Sequence, residues 1–276
     1  MLREHGLAPR KAAGQNFVVD PNTVRRIVAA AELGPGDTVL EIGPGLGSLT
    51  LGLAEATRHV VAIEIDAGMV GALAEVLADV PNVEVVHADA LRSDLGALTG
   101  GEQVRLVANL PYNTATPIVM HALADPAVGD QFVMVQREVG ERWVARPGDP
   151  LHAGVSVKLA LQADARVVLA IPRAVFHPVP NVDSVMVRIT RRADAPTGDR
   201  RRMLLALTDA AFAQRRKTLR NTLRAVASPD ELAAAAAQAG VDLGARAETL
   251  DAAAITRLGD AIVAGRGAGG DGPVGG

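Results

Sequence analysis

The sequence predicts an α/β protein: a doubly wound, mainly parallel sheet followed by a small all-helical C-terminal domain. Three observations carry this. Short apolar stretches alternate with helical ones from residue 38 to residue 136, and strands that are apolar along their whole length belong to a parallel sheet buried on both faces. A glycine-rich turn, Gly43-Pro44-Gly45-Leu46-Gly47, directly follows the first of these strands. From about residue 199 onward only Ala/Leu/Arg-rich helical sequence remains.

Element by element, residues 21–33 read as a helix, with Asp20 as N-cap and Pro21 at the first helical position. Pro35-Gly36 ends it. A strand at 38–42 leads through the glycine turn into a helix at 48–56. A strand at 59–65 is followed by a helix to about 78, and strands follow at 83–87 and 105–110. A helix at 116–123 precedes a fifth strand at 131–136. After Arg137 the alternation changes. Residues 166–171 and 185–190 read as later strands at the sheet edge, with Phe176-His177-Pro178-Val179-Pro180 between them. The predicted domains are 1–196 for the sheet, 197–264 for the helices, and 265–276, rich in glycine, as a flexible tail.

Composition removes several classes of function. The chain has 276 residues, 49% of them hydrophobic, but only 2% aromatic: one Trp, one Tyr and four Phe. Its core is therefore aliphatic, and each ring invites a question about its position. With no cysteine, there is no disulfide framework, Cys-zinc site, iron–sulfur cluster or thiol nucleophile. The six histidines show no metal-ligand spacing, so no metal is expected. No apolar run reaches the ~20 residues of a membrane helix. The N-terminal MLREHGLAPRKAAGQ lacks the apolar stretch of a secretory signal, so a cytoplasmic protein is expected. Net charge is −3, unevenly spread. Residues 184–224 hold eleven Arg/Lys and three Asp, or +8, leaving −11 on the rest. An acidic body with one basic segment fits a small-molecule site joined to an anion-binding surface.

The glycine turn sits between a strand and a helix. Glycine lets a backbone pass close beneath a ligand, and the free N–H groups of the helix start face an anion. Glu64 ends the second strand, 21 residues after Gly43. In this topology a carboxylate there accepts both ribose hydroxyls of an adenosine. Asp89 ends the third strand and faces the same crevice. The spacing GxGxG differs from the GxGxxG of dinucleotide enzymes. The adenosine could belong to NAD or to S-adenosylmethionine, whose ammonium and sulfonium suit an acidic lining.

Asn109-Leu110-Pro111-Tyr112 ends the fourth strand, at the carboxyl edge where α/β proteins bind ligands. An exocyclic adenine amine is a poor nucleophile because its lone pair is delocalised into the ring. A side-chain amide oxygen from Asn109 and the carbonyl of Leu110 can accept its two N–H bonds. The nitrogen then pyramidalises and frees its lone pair for in-line attack on a methyl sulfonium. Pro111 stiffens the turn, and Tyr112 offers a face for the base, where stacking is worth ~1–3 kcal/mol.

Six segments together carry a resemblance: Gly14-Gln15-Asn16-Phe17, residues 41–47 with Thr50, residues 109–113, Gln136 to Arg142 (QREVGER), Phe176 to Ser184 (FHPVPNVDS), and Arg215 to Leu223 (RRKTLRNTL). In that order they resemble the ribosomal RNA adenine N6-dimethyltransferases. More narrowly, the chain is similar to the bacterial enzymes that dimethylate two adjacent adenosines near the 3′ end of small-subunit rRNA. The resemblance implies a Rossmann-like methyltransferase sheet, S-adenosylmethionine as methyl donor, no metal, and a pre-30S particle met by a monomer. It implies that Asn16 and Val18 close over the donor, Gly43 passes beneath its methionine part, Glu64 holds the ribose and Asp89 the adenine amine. Asn109 would touch both donor and target, and Phe176 would sandwich the flipped adenine with Tyr112. The sequence departs from the family pattern at Val18, where leucine is expected, and in 150–157, where a tyrosine is expected near His152.

The basic segment reads as a single helix. Phe212, Leu219, Leu223 and Val226 form its buried face, and Arg216, Arg220 and Arg224 share another at i, i+4 and i+8. With Arg215 and Lys217, and with Arg10 and Lys11 as additions, this array tracks an RNA backbone. Trp143 and Phe132 read only as packing residues. Three rival functions are a large-subunit adenine methyltransferase conferring antibiotic resistance, a ribosome-assembly factor on the same fold, and an NAD-dependent dehydrogenase. The last lacks any readable hydride-transfer acid or base.

Overall fold

The computed structural model describes residues 16–268, with side chains through Arg266. Arg10, Lys11, Gly14 and Gln15 lie outside the described residues, as do residues 269–276. The chain begins with a short strand, β1 (Phe17–Val18), and a helix, α1 (Pro21–Ala30). The Asp20 carboxylate caps α1 by accepting from the N–H groups of Thr23 at 3.0 Å and Asn22 at 3.4 Å. Pro21 fills the first turn, where its missing N–H costs nothing. The helix stops short of residue 33 because Glu32 turns into the left-handed region, at φ 53°.

The predicted alternation follows: β2 (Thr38–Ile42), α2 (Ser48–Ala56), β3 (His59–Glu64), α3 (Ala67–Val76), β4 (Val83–His87), α4 (Leu95–Leu98), β5 (Val104–Asn109), α5 (Ala115–Ala122) and β6 (Val128–Gln136). Then come α6 (Arg137–Val144), α7 (Gly154–Ala160), β7 (Ala163–Ile171), β8 (Phe176–His177), β9 (Ser184–Arg191), α8 (Gly198–Phe212), α9 (Leu219–Thr222), α10 (Pro229–Ala239) and α11 (Ala252–Ala268).

Seven strands form one sheet in the order β4-β3-β2-β5-β6-β9-β7. The five strands β4, β3, β2, β5 and β6 are parallel, and β9 is antiparallel to β6. Strand β7 forms the sheet edge and β9 lies just inside it, so the pair expected at the edge occupies that end of the sheet. From β2 the chain winds outward to β3 and β4, then returns to place β5 on the other side of β2. The carboxyl ends of β2 and β5 thus flank a topological switch point, where such sheets open a crevice. A separate ribbon pairs β1 with β8, setting Phe17 opposite His177 and Val18 opposite Phe176.

The chain divides into two compact units. One runs to Gly140 and includes Ala165–Arg191; the other combines Glu141–Asp164 with the residues from Arg192 onward. The expected boundary at 196/197 therefore needs a correction: the segment 141–164 joins the helical unit. The reason is apolar packing. Val157 and Leu161 are buried in one cluster with Leu204, Leu207, Leu258 and Ile262. The tail expected from 265 is corrected for its first residues, since α11 continues to Ala268.

The single helix expected through 215–226 is not formed. α8 ends at Phe212, and α9 starts only at Leu219. Leu219 and Arg220 donate their N–H groups to the carbonyls of Ala245 and Leu243, both at 2.9 Å. Thr218 and Arg246 form an isolated antiparallel bridge. These bonds draw the chain onto the loop before α11 instead of extending α8. Leu219 and Leu223 are nevertheless buried in the helical core, and Phe212 and Val226 pack against it. Arg216, Arg220 and Arg224 do not share one helical face. Arg215, Arg216, Lys217, Arg220 and Arg224 are all exposed, and none of them makes an ion pair among the described residues. Trp143 and Phe132 are buried, as expected.

Candidate active site

The loops after β2, β3, β4 and β5 enclose a cavity of about 350 Å³, within the range of small-ligand sites. Its walls include Asn16, Val18, Gly43, Glu64, Asp89, Asn109 and Leu110. Seven positions named from the sequence thus converge on one pocket.

The glycine turn forms the floor. Gly45 has φ +57°, and a Cβ there would lie 2.5 Å from Cε1 of Phe17. No side chain fits, in conformation or in space. The contact also shows how the N-terminal segment is seated: the Phe17 ring lies directly on the turn. Glu64 is 5% exposed. Its Oε2 accepts from the Gly45 N–H at 3.3 Å, and its Oε1 from the N–H groups of Ile65 at 2.9 Å and Asp66 at 3.0 Å. Three backbone donors thus hold this carboxylate against the turn. Asp89 accepts from the Leu91 N–H at 3.0 Å and pairs with Arg92 at 3.4 Å.

Glu41, named in the sequence only as the start of the glycine segment, proves to be a notable group in the pocket. It is 1% exposed, lines the cavity, and its Oε2 has no hydrogen-bond partner among the described residues. Burial pushes its carboxyl up to about 8, partly offset by the nearby Thr50 hydroxyl and reinforced by the Glu64 carboxylate. The sequence signal was a carboxylate inside an otherwise apolar strand. The pH consequence has a definite sign. The folded chain holds this proton more tightly than the unfolded chain, so stability is full below the ordinary carboxylate range and falls as pH rises toward 8. Glu41→Gln is expected to flatten that fall. Melting temperatures of both proteins at pH 5 and pH 8 test this, and equal losses in the two would refute it.

At the end of β5, Asn109 Nδ2 donates to the Asn16 carbonyl at 2.8 Å. A carbonyl can only accept, so this bond assigns the amide orientation. The NH2 group is engaged by Asn16, leaving Oδ1 as the acceptor. Leu110 donates its own N–H to the Met134 carbonyl at 3.2 Å. Its carbonyl accepts no hydrogen bond among the described residues. Two acceptors, on adjacent residues, are thus available where the strand ends. Tyr112 is half-buried, and its hydroxyl meets Ser184 Oγ at 2.9 Å. Burial holds its phenol above the usual range.

Phe176 requires a correction. It is 1% exposed and packs in the sheet core with Val18, Ile27, Ile171 and Met186. The ring has no open face, so in this structure it does not form the sandwich expected of it. β8 pairs with β1 and carries Phe176 beneath the N-terminal segment, which the loop sequence alone did not reveal. Ser184 ends the same segment, and its bond to Tyr112 appears only in three dimensions.

The model of the family described as ribosomal RNA adenine dimethylase matches residues 6–262. The chain belongs to this family. Among its curated relatives, the ribosomal RNA small subunit methyltransferase A of Thermobifida fusca is 50% identical over 260 residues, covering 92% of this chain and 90% of the relative. The protein of the same name from Rhodococcus opacus is 47% identical over 268 residues, covering 94% and 90%. Among solved structures, the 23S rRNA methyltransferase ErmE superposes with a TM-score of 0.68 at 30% identity, covering 90% of this chain and 99% of that one. A dimethyladenosine transferase from Plasmodium falciparum shares the fold, with a TM-score of 0.71 at 23% identity and coverage of 88% and 95%. This rRNA adenine dimethylase family member is a methyltransferase with a Rossmann-like sheet. Among its described residues no helix is long and apolar enough to cross a membrane, and no group of three His, Asp or Glu could hold a metal ion.

Proposed function

We propose that the chain transfers methyl groups from S-adenosylmethionine to the N6 amines of two adjacent adenosines near the 3′ end of small-subunit rRNA, on a pre-30S particle. The observation that carries this reading is the orientation of Asn109, whose Oδ1 is left as an acceptor beside the Leu110 carbonyl. Those two oxygens match the two N–H bonds of an exocyclic adenine amine.

The pocket fits the donor. Its lining brings together Glu41, Glu64 and Asp89, and the unpartnered Glu41 Oε2 is a buried acceptor facing a ligand that carries an ammonium. When bound, S-adenosylmethionine supplies an electrophilic methyl on its sulfonium. Glu64 accepts from the ribose hydroxyls, Asp89 takes the adenine amine, and Gly43 leaves room for the methionine part. Asn16 and Val18 cover the site. Asn109 Oδ1 and the Leu110 carbonyl hold the target amine so that its lone pair points at the methyl. The new N–C bond forms as the S–C bond breaks, and the amine proton passes to water. No catalytic base is needed before attack.

Tyr112 provides the stacking face, and Ser184 positions it through the bond between their hydroxyls. Tyr112→Phe and Ser184→Ala are each expected to lower kcat/KM about 3- to 10-fold, the value of one net hydrogen bond. In the Tyr112→Phe background, Ser184→Ala should cause no further loss. Additive losses in this double-mutant cycle would show that Ser184 acts elsewhere.

The small-subunit choice over the large-subunit rival rests on the relatives. Those named for the small subunit reach 50% identity, against 30% for ErmE. Incubating the chain with labelled donor and unmethylated ribosomal subunits tests this. Label at two adjacent adenosines of the small subunit is expected, and label confined to the large subunit would overturn the reading.

A further inference from the structure

A second cavity, of about 300 Å³, lies wholly within the helical unit. The proposed methyl transfer does not use it. Its floor is His152, 5% exposed, with Nδ1 3.3 Å from the Ala145 carbonyl and Nε2 2.9 Å from the Leu250 carbonyl. Both ring nitrogens are thus turned to the backbone, which fixes the ring as a wall of the cavity. The Phe212 ring stands edge-on against it, with centroids 5.8 Å apart. Gly154 makes room for Phe212, since a Cβ there would lie 3.2 Å from the Phe212 Cβ. Leu151 extends this apolar side.

The charged groups of the pocket are Arg142, Arg215 and Glu248. Arg215 and Glu248 are exposed and make no ion pair with each other or with any other described residue. Opposite charges that line one cavity without neutralising each other call for a ligand with an anionic part, a flat apolar body and N–H donors at its edge. A nucleotide has all three: guanidinium groups bind phosphate, and a carboxylate accepts base N–H groups. The volume sits at the lower end of small-ligand sites, suited to one such unit. Arg215 also begins the run of five exposed cations that ends at Arg224.

We propose that this pocket takes a single unpaired nucleotide of the RNA, outside the methylation site, with its phosphate between Arg142 and Arg215 and its base edge on Glu248. The proposal rests on the reading of the chain as an rRNA methyltransferase. The chain has no cysteine, so Pro150→Cys creates one unique handle on the exposed rim of the pocket and leaves Arg142, Arg215 and Glu248 in place. That variant, carrying a benzophenone maleimide, is irradiated with unmethylated small subunits, and the adducts are mapped on the rRNA. The expected result is one dominant nucleotide position, whose yield falls at least 10-fold when Arg142→Ala is added. Adducts scattered along the rRNA, or absent while the unsubstituted chain co-sediments with the subunits and methylates them, overturn the pocket assignment. Adducts only to added 5′-mononucleotides would assign the pocket to a free nucleotide and overturn it too. If the unsubstituted chain neither co-sediments nor methylates, the underlying RNA reading fails, and the proposal with it.

Discussion

Asn109→Ala is expected to lower methyl transfer by about 10²–10³-fold, or ~3–4 kcal/mol of transition-state stabilisation, while the melting temperature stays near that of the parent. Two losses combine. The target amine loses the Oδ1 acceptor that keeps its lone pair out of the ring, and the Asn16 carbonyl loses the Nδ2 donor that holds it at 2.8 Å over the pocket. Asn109→Asp separates these effects from side-chain size. It preserves shape and an acceptor oxygen, but a carboxylate cannot donate to a carbonyl, so the covering segment is repelled. Both variants should be nearly inactive in single-turnover assays with labelled donor. Full activity in either would remove Asn109 from the mechanism.

Glu64→Ala is expected to weaken donor binding by about 10- to 100-fold in calorimetry, the value of one or two hydrogen bonds to a charged group. The carboxylate accepts from Gly45, Ile65 and Asp66, so its removal also leaves three backbone donors without their partner and loosens the glycine turn. Glu64→Gln should fall between, because it keeps one acceptor oxygen. It carries a second signature. The Glu64 charge helps keep the Glu41 proton on, so neutralising it should draw the Glu41 carboxyl down toward its ordinary range and narrow the pH window over which the fold loses stability. Unchanged donor affinity in Glu64→Ala would refute the ribose role.

Much of the sheet and most of the cavity lining are readable from the sequence because both depend on local order. Whole-strand apolarity marks a doubly covered sheet. Gly43, Glu64, Asp89 and Asn109 stand at successive strand ends, and parallel strands bring such ends to one edge. The helical unit was harder to read. Phe212, Leu219, Leu223 and Val226 have helical spacing, yet the backbone of Leu219 and Arg220 bonds to residues 243–245 instead. Periodicity reports which residues are buried, and in this segment it did so correctly for Leu219 and Leu223. It does not report which partner the backbone takes. Phe176 shows the same limit: a ring between prolines reads as an exposed platform until β1 covers it.

The rings divide along this line. The amino-acid sequence by itself determined that the core is aliphatic, that the chain's only tyrosine follows Asn109-Leu110-Pro111, and that Gly43, Glu64, Asp89 and Asn109 gather at the carboxyl edge of a parallel sheet. Those are consequences of composition and of order along the chain. Only the tertiary structure decided that the Tyr112 hydroxyl is held by Ser184, that Phe176 belongs to the core, and that Glu41 is buried, which raises its carboxyl pKa. Each of these depends on contacts between residues far apart in sequence, or on how much water reaches a group, and neither quantity is written in local spacing.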